Sequence, residues 1–179
     1  MLNIKDITYS ALGAAVMTIC AWISIPTPWH ISFTMQTFGV FAVTGALGGK
    51  RGTISIVIYI LLGLAGLPVF SGFKGGPGVL LGAAGGYILG FFPACVVMWI
   101  SERLTDGKLG RFFIAAVIGL AACYAVGTVW YSAVFLKTIS IQALTSALIV
   151  CVVPYIAFDF VKIFLAAFVT KKLGRCIKT

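Results

Sequence analysis

Long apolar runs with almost no charged residues inside them constrain this chain more than any other feature of its sequence. The runs are near-continuous instead of alternating in hydrophobicity every second residue, which favours membrane-spanning helices over a transmembrane β-barrel. Hydrophobic residues make up 61% of the 179 residues and charged residues only 9%, as is typical of an integral membrane protein. At about 20 residues per span, the chain has room for about six spans. We therefore predict an all-α integral membrane protein, a compact bundle of six transmembrane helices forming a single domain over residues 1–179.

The ends of the predicted helices come from the residues that interrupt the apolar runs. Pro26 and Pro28 end the first run, because proline cannot continue a helix. A basic glycine turn at 48–52 ends the second, and the charged segment 101–111 separates the fourth from the fifth. The predicted helices are 7–25, 31–47, 53–67, a fourth from 79 or 87 to 100, 112–136 and 146–170.

The basic residues, which give the chain a net charge of +9, lie between the apolar runs. They are not interleaved with aromatic residues on one soluble face, so they do not indicate nucleic-acid binding. With six spans, Lys74 and Lys137 lie on one side of the membrane and ten basic residues lie on the other, together with both termini. This asymmetry predicts a multi-pass protein of the cytoplasmic (inner) membrane with both termini cytoplasmic. The ten residues are Lys5, Lys50, Arg51, Arg103, Lys108, Arg111, Lys171, Lys172, Arg175 and Lys178.

One segment is rich in glycine and has the sequence GLPVFSGFKGGPGVLLGAAGGY at positions 66–87. It holds too much glycine and proline for a helix and is too apolar for a free surface loop. Non-helical backbone at membrane depth is tolerated only where it is buried in protein or lines a cavity, so we predict an outward-facing lid or re-entrant loop between helices 3 and 4. Lys74 lies at its centre, beside Gly72, Gly75 and Gly76. The nucleotide-binding pattern GxxxxGK(S/T) is absent.

Two charged residues, Asp159 and Lys162, lie within the last apolar run. They are three residues apart and therefore share a helix face. Asp159 precedes Lys171 by 12 residues, or about 18 Å of helix, which is near the middle of a hydrocarbon core about 30 Å thick. One interpretation is a structural ion pair between helices. The other is a polar pocket for a small ligand, in which the carboxylate accepts N–H groups and the ammonium donates to oxygens.

Further polar and aromatic residues within the spans have two interpretations each. Gln36 either bonds a neighbouring helix or lines a site, since a buried amide needs partners in both cases. Trp130 lies with Tyr124 and Tyr131 near the end of a span, where aromatics usually form an interfacial belt and line a binding pocket less often. His30 follows Trp29 and fits the same interfacial position.

Small residues lie four apart on one face of the first helix, at Ala11 and Ala15. Such a face lets another helix approach closely and gain van der Waals contact that lipid does not supply. The approaching helix is either part of this chain or part of a separate protein.

Catalytic and metal-binding signals are missing from the sequence. There is no paired carboxylate cluster and no histidine near a serine or cysteine. The five cysteines are scattered without a CxxC pair, so neither a disulfide framework nor a metal site is expected. We predict a protein that is not an enzyme and needs no cofactor. Transport or binding fits better, and with no nucleotide-binding loop and no evident repeat, the energy for transport would come from other subunits.

Three segments together resemble one family. They are FTMQTFGVFAVTGALGGKRG at 33–52, the glycine-rich segment at 66–87 and PYIAFDFVKIFLAAFV at 154–169. The chain is similar over nearly its whole length to BioY, the biotin-specific substrate-binding (S) component of energy-coupling factor (ECF) transporters.

The resemblance implies a biotin-binding subunit for vitamin uptake, with biotin held near the outer face under two loops. Asp159 and Lys162 match the family's polar pair near the ureido ring, and Gln36 and Tyr87 match pocket positions. Trp130 is included among the expected ligand contacts. The motif formed by Ala11 and Ala15 matches the AxxxA face that docks on the transmembrane coupling protein, which works with separate ATPase subunits.

One departure from the family affects the expected ligand contacts. Some members carry an arginine just after the GGY that contacts the biotin carboxylate, and an asparagine at the position of Lys74. Here Ile88 follows Tyr87. We predict that Lys74 supplies the missing cation, because a deep anion without one is heavily penalised. Three other functions remain open: a biotin transporter that works without an ATPase, an intramembrane enzyme, and a structural membrane subunit with no small ligand.

Overall fold

The structure, a computed structural model, describes the backbone of residues 3–28, 31–104 and 109–177 and the side chains of residues 3–28, 31–103 and 110–173. Within these ranges the chain forms eight α-helices, a π-helical turn and one two-stranded ribbon. The elements are α1 (Ile4–Trp22), β1 (Ser24–Ile25), β2 (Phe33–Thr34), α2 (Gln36–Leu47), α3 (Gly49–Leu64), α4 (Pro77–Leu80), α5 (Gly85–Leu104), α6 (Leu109–Trp130), the π-helical turn (Tyr131–Phe135), α7 (Ile141–Cys151) and α8 (Val153–Ile177).

Several helices have the length and apolar character of membrane spans. Four stretches of the described chain are long and apolar enough to cross a membrane: Ile4–Trp22, Gly85–Arg103, Gly110–Phe135 and Val153–Leu173. Gln36–Leu47 and Ile141–Cys151 are shorter apolar helices. The prediction of a helical, multi-pass membrane protein is confirmed, and the count of six spans stays a prediction.

The predicted boundaries around the first connection are wrong. The first helix ends at Trp22 instead of residue 25, and the second begins at Gln36 instead of residue 31. Between them, Ser24 and Ile25 pair antiparallel with Thr34 and Phe33. The prolines that follow Ile25 prevent helix continuation, and the ribbon supplies the backbone hydrogen bonds that a helix would have provided.

The last predicted helix is divided into α7 and α8. Val152 separates them with φ −122° and ψ −53°, outside ordinary helix geometry. Pro154 explains the break, because proline lacks an N–H group and crowds the residue before it. The Ser140 hydroxyl caps α7 by accepting a hydrogen bond from the Ala143 amide at 3.1 Å. Consequently α8 begins at Val153 and carries both charged residues within its first three turns.

Close packing of α1, α2, α3, α5, α6 and α8 makes the core of the bundle. α5 packs along α6, and α2 packs against α8. A Cβ on Gly90 would lie 2.9 Å from the Cys123 carbonyl oxygen, so glycine at this position lets α5 and α6 approach closely. Residues 65–84 join α3 to α5, are non-helical except for the single turn of α4, and contribute Val69, Phe70 and Leu80 to the core.

Candidate ligand-binding site

A cavity of about 470 Å³ lies between the helices and the 65–84 segment. Its volume is within the range of about 300–1,000 Å³ that is usual for small-molecule sites. Five of the six predicted ligand contacts line it: Asp159, Lys162, Lys74, Gln36 and Tyr87. Much of the remaining wall is apolar and includes Ile31, Phe70, Val79, Ile88, Phe91, Leu120 and Phe135.

The charged pair of α8 forms one polar part of the cavity wall. Lys162 Nζ donates to Asp159 Oδ1 at 2.7 Å, and the two residues are only 4% and 3% exposed. The Tyr124 hydroxyl donates to the other carboxylate oxygen, Oδ2, at 2.5 Å. The two residues bond each other within α8 instead of joining two helices, and they also border open space; their role in ligand binding stays a prediction.

The pair keeps hydrogen-bonding capacity for a ligand. An ionised carboxylate offers about four acceptor positions, of which Lys162 and Tyr124 occupy two. The ammonium has three donors, and one is committed to Asp159. Lys162 Nζ also lies 4.2 Å from the centroid of the Phe33 ring, a cation–π contact that stabilises its charge. Such a pair suits a group in which N–H donors lie next to a carbonyl oxygen.

Gln36 is held by its neighbours at the first residue of α2. Its Nε2 donates to the Tyr59 hydroxyl at 2.6 Å, and the Thr34 hydroxyl donates to its Oε1 at 3.0 Å. The amide therefore bonds a neighbouring helix and lines the cavity, which combines the two alternatives derived from the sequence. One amide N–H and one lone pair of Oε1 remain available.

Tyr87 brings a buried hydroxyl without a hydrogen bond to any described residue. The side chain lines the cavity, and its hydroxyl oxygen is buried with no hydrogen-bond partner among the described residues. Ser71 on the 65–84 segment has the same two properties. A buried polar group without a partner is costly, so both are sites where a ligand or water would be stabilised.

Lys74 lies on the segment that covers part of the cavity. The Phe70 amide donates to the Lys74 carbonyl at 2.9 Å and closes a short hairpin. Gly72 and Gly76 have φ values of +70° and +92°, which glycine adopts without strain. At Gly75 a Cβ would overlap the Leu67 carbonyl. The three predicted glycines thus shape the backbone, while the Lys74 side chain reaches the cavity.

Trp130, the sixth predicted ligand contact, lies apart from the other five, and its contact with a ligand stays a prediction. Trp130 is not among the described residues that line the cavity. Its indole N–H donates to the Gly82 carbonyl at 3.1 Å, and a Cβ on Gly86 would overlap its side chain. Trp130 therefore holds the end of the 65–84 segment against α6.

Several polar residues of the site were missed or misjudged from the sequence. Tyr124 was read as interfacial, and its bond to Asp159 places it in the site. Tyr155, which lines the cavity, donates to the Ile31 carbonyl at 2.5 Å and joins α8 to the first connection. Tyr59 orients Gln36 from α3. A tyrosine in an apolar run gives no signal that separates these positions from the interface.

The predicted docking face on α1 is open to the surroundings. Ala11 and Ala15 are both exposed, as are the apolar neighbours Leu12 and Ile19. Trp29 and His30 lie outside the described residues. Within the described ranges no group of three His, Cys, Asp or Glu residues could hold a metal ion.

Comparisons with known proteins identify the family. The model of the BioY family matches residues 1–179. The "Biotin transporter BioY" of Thermotoga maritima is 34% identical over 96% of both chains, and the "Probable biotin transporter BioY" of Pyrococcus horikoshii is 32% identical over 96% of this chain and 98% of its own length. A structure titled "Crystal structure at 2.1 A of the S-component for biotin from an ECF-type ABC transporter" superposes with a TM-score of 0.80 at 29% identity, covering 98% of this chain and 95% of that one. This chain therefore belongs to the BioY family.

Proposed function

We propose that this chain is the biotin-binding S component of an ECF transporter and mediates biotin uptake. The observation that carries the proposal is the cavity of about 470 Å³ with a buried charged pair in its wall, in a chain whose relatives are named as biotin transporters. The solved relative titled as an S component for biotin supports the same ligand. These relatives are transporters, which argues against an enzymatic role.

The ureido ring of biotin suits the end of the cavity formed by α8. Its N–H groups would donate to the free acceptor positions of Asp159, and its carbonyl would accept from Lys162. Tyr124 fixes the carboxylate from the opposite side by its bond to Oδ2. Gln36 and Tyr87 would add polar contacts, and the apolar wall would receive the rest of the bicyclic ring.

The carboxylate of biotin needs a cation, and Lys74 is the one we assign. Ile88 occupies the position where some family members have arginine, and it is a buried part of the cavity wall. Among the described residues that line the cavity, the cations are Lys74 and Lys162, and Lys162 is paired with Asp159. Lys74 is exposed and lies on the covering segment, where it would meet the flexible acid chain of the ligand.

The charge pattern supports a specific membrane topology. Six spans with both termini in the cytoplasm would put ten basic residues inside and expose the 65–84 segment outside. The cavity would then open toward the outer face of the cytoplasmic membrane, which suits a subunit that collects a vitamin from outside. Cysteine accessibility from either side of the membrane, at positions 74 and 172, tests this orientation, and labelling of both from the same side contradicts it.

Energy would come from separate coupling and ATPase subunits. The exposed face that holds Ala11 and Ala15 on α1 offers the close helix approach that such a partner requires. The variant Ala15→Phe tests this docking. We expect it to abolish copurification with the coupling and ATPase subunits and to leave biotin binding intact. Unchanged copurification removes α1 from the interface.

A biotin titration of the purified protein in detergent tests the function as a whole. We expect saturable binding by isothermal calorimetry with one biotin per chain, and no conversion of biotin to another compound. Asp159→Asn serves as the control, because it removes the charge and keeps the side-chain shape. Absence of binding by the unmodified chain, shown to be folded by its thermal transition, contradicts the proposal.

A further inference from the structure

The last residue of α1, Trp22, joins this helix to the segment that covers the cavity. Its indole N–H donates to the Pro68 carbonyl at 2.8 Å. The ring centroids of Trp22 and Phe73 are 5.0 Å apart with a tilt of 31°, within the range of favourable aromatic pairs. Two independent contacts therefore link α1 to Pro68, just before the Phe70–Lys74 hairpin, and to Phe73 within it.

Phe73 has a backbone conformation that a bulky side chain rarely adopts. Its φ is +57°, in the left-handed region, directly after Gly72 with φ +70°. Glycine would occupy this position without strain, whereas a bulky residue with positive φ is an outlier. The ring is 63% exposed, so burial in the core does not explain why phenylalanine stands here. A strained residue of this kind is a reason to look for a function.

The strained turn directs two adjacent side chains to different places. The Phe73 ring lies on Trp22, outside the cavity, and the next side chain, that of Lys74, lines the cavity. The Phe70 amide is bonded to the Lys74 carbonyl, so the two ends of the turn move together. A shift of Phe73 on Trp22 would therefore also shift Lys74, the next residue of the same hairpin.

We propose that Trp22 and Phe73 form an aromatic latch that keeps the Lys74 hairpin across the cavity and sets how long the ligand stays bound. Both are positioning residues, because neither lines the cavity within the described chain. The latch rests on the proposed function for the identity of the ligand. Since Trp22 ends the helix that carries Ala11 and Ala15, a partner that displaces α1 would act on the hairpin through these two contacts.

Dissociation of labelled biotin from the purified protein tests the latch. Phe73→Gly fits the positive φ and removes the ring, so we expect unchanged or higher thermal stability together with dissociation that is about tenfold faster. Trp22→Phe keeps a ring but loses the bond to Pro68, and we expect an increase of about three- to fivefold. Leu81→Ala is the matched control, because Leu81 is 65% exposed on the same segment and is not part of the latch.

A second readout needs no ligand. Cys123 and Cys151 line the cavity, and their alkylation by a small water-soluble maleimide reports how often the hairpin opens. In a Cys176→Ser background, with the labelled residue identified by mass spectrometry, Phe73→Gly should label both cysteines faster than the control. Failure of the unmodified chain to bind biotin contradicts the proposed function and leaves the labelling rates to decide on the latch. If Phe73→Gly has labelling and dissociation rates equal to those of Leu81→Ala, the latch is overturned.

Discussion

The two cationic parts of the cavity, the pair on α8 and Lys74 on the 65–84 segment, are built in opposite ways. Lys162 is 4% exposed and bonded to Asp159 before any ligand is present. Lys74 is exposed on a hairpin and forms no ion pair that is found within the described chain. The first is oriented and desolvated during folding, whereas the second meets its ligand from water. The end of the site formed by Asp159 and Lys162 is therefore preorganised, whereas the end formed by Lys74 depends on the position of the 65–84 segment.

The largest expected effect comes from disrupting the ion pair between Asp159 and Lys162. Asp159→Asn leaves the Lys162 ammonium buried without a counter-charge, which costs about 3–5 kcal/mol of stability. We also expect biotin affinity to fall by more than about 100-fold, because the carboxylate acceptors for the ureido N–H groups are lost. Calorimetric titration and thermal unfolding measure the two losses separately.

A double variant separates stability from binding at this site. Asp159→Asn combined with Lys162→Met removes both charges, and replacing a buried ion pair by uncharged residues is often neutral for stability. We expect thermal stability to recover while binding stays lost. Recovery of both properties would mean that the pair is only structural and that the ureido group binds elsewhere.

The exposed end should behave differently when its charge is removed. Lys74→Gln should leave the thermal unfolding temperature unchanged, since this side chain has no buried partner to lose. Biotin affinity should fall by about 10- to 100-fold, the equivalent of one charged hydrogen bond. The neutral amide of biotin provides the matched control and should bind both proteins equally. A loss of less than threefold for biotin would mean that another residue holds the carboxylate.

The sequence predicted the preorganised end better than the rest of the fold. A charge inside an apolar run is costly enough to mark a site without knowledge of the fold, and this signal identified Asp159 and Lys162. Gln36 stood out for the same reason. The β-ribbon was missed because two-residue strands are too short to show alternation. The break at Pro154 was missed because transmembrane helices can also contain proline.

Residues on α6 were misjudged because this helix is apolar on all sides. When polar residues do not define an outer face, the sequence does not reveal which side of a helix faces a cavity. Tyr124 and Trp130 are six residues apart, which places them about 120° apart around the helix. One orientation of the helix therefore does not direct both side chains to the same cavity wall: Tyr124 lines the cavity, and Trp130 donates to the Gly82 carbonyl.

Tyr124→Phe tests whether Tyr124 supports Asp159 at the preorganised end of the site. The change removes the hydroxyl that donates to Asp159 Oδ2 and keeps the ring. We expect biotin affinity to fall by about tenfold. A hydrogen bond to a charged group contributes about 1.5–3 kcal/mol, and a bond from the ligand to the freed Oδ2 atom of Asp159 would offset part of this loss. Tyr131→Phe, in the π-helical turn that follows α6, is the control, and an equal effect of the two variants would show that Asp159 needs no support from Tyr124.

The smallest effect is expected from a change at Trp130. This variant shows whether Trp130 contacts the ligand or only supports the covering segment. Trp130→Phe removes the bond to the Gly82 carbonyl and keeps an aromatic ring against Gly86. A neutral hydrogen bond contributes about 0.5–1.5 kcal/mol, so thermal stability should drop slightly and biotin affinity should change by less than about threefold. A titration of biotin alongside its neutral amide would show the same small change for both, because Trp130 touches neither end of the ligand. A loss of biotin affinity of tenfold or more, with thermal stability unchanged, would show that Trp130 contacts the ligand and that the 65–84 segment closes further when biotin is bound.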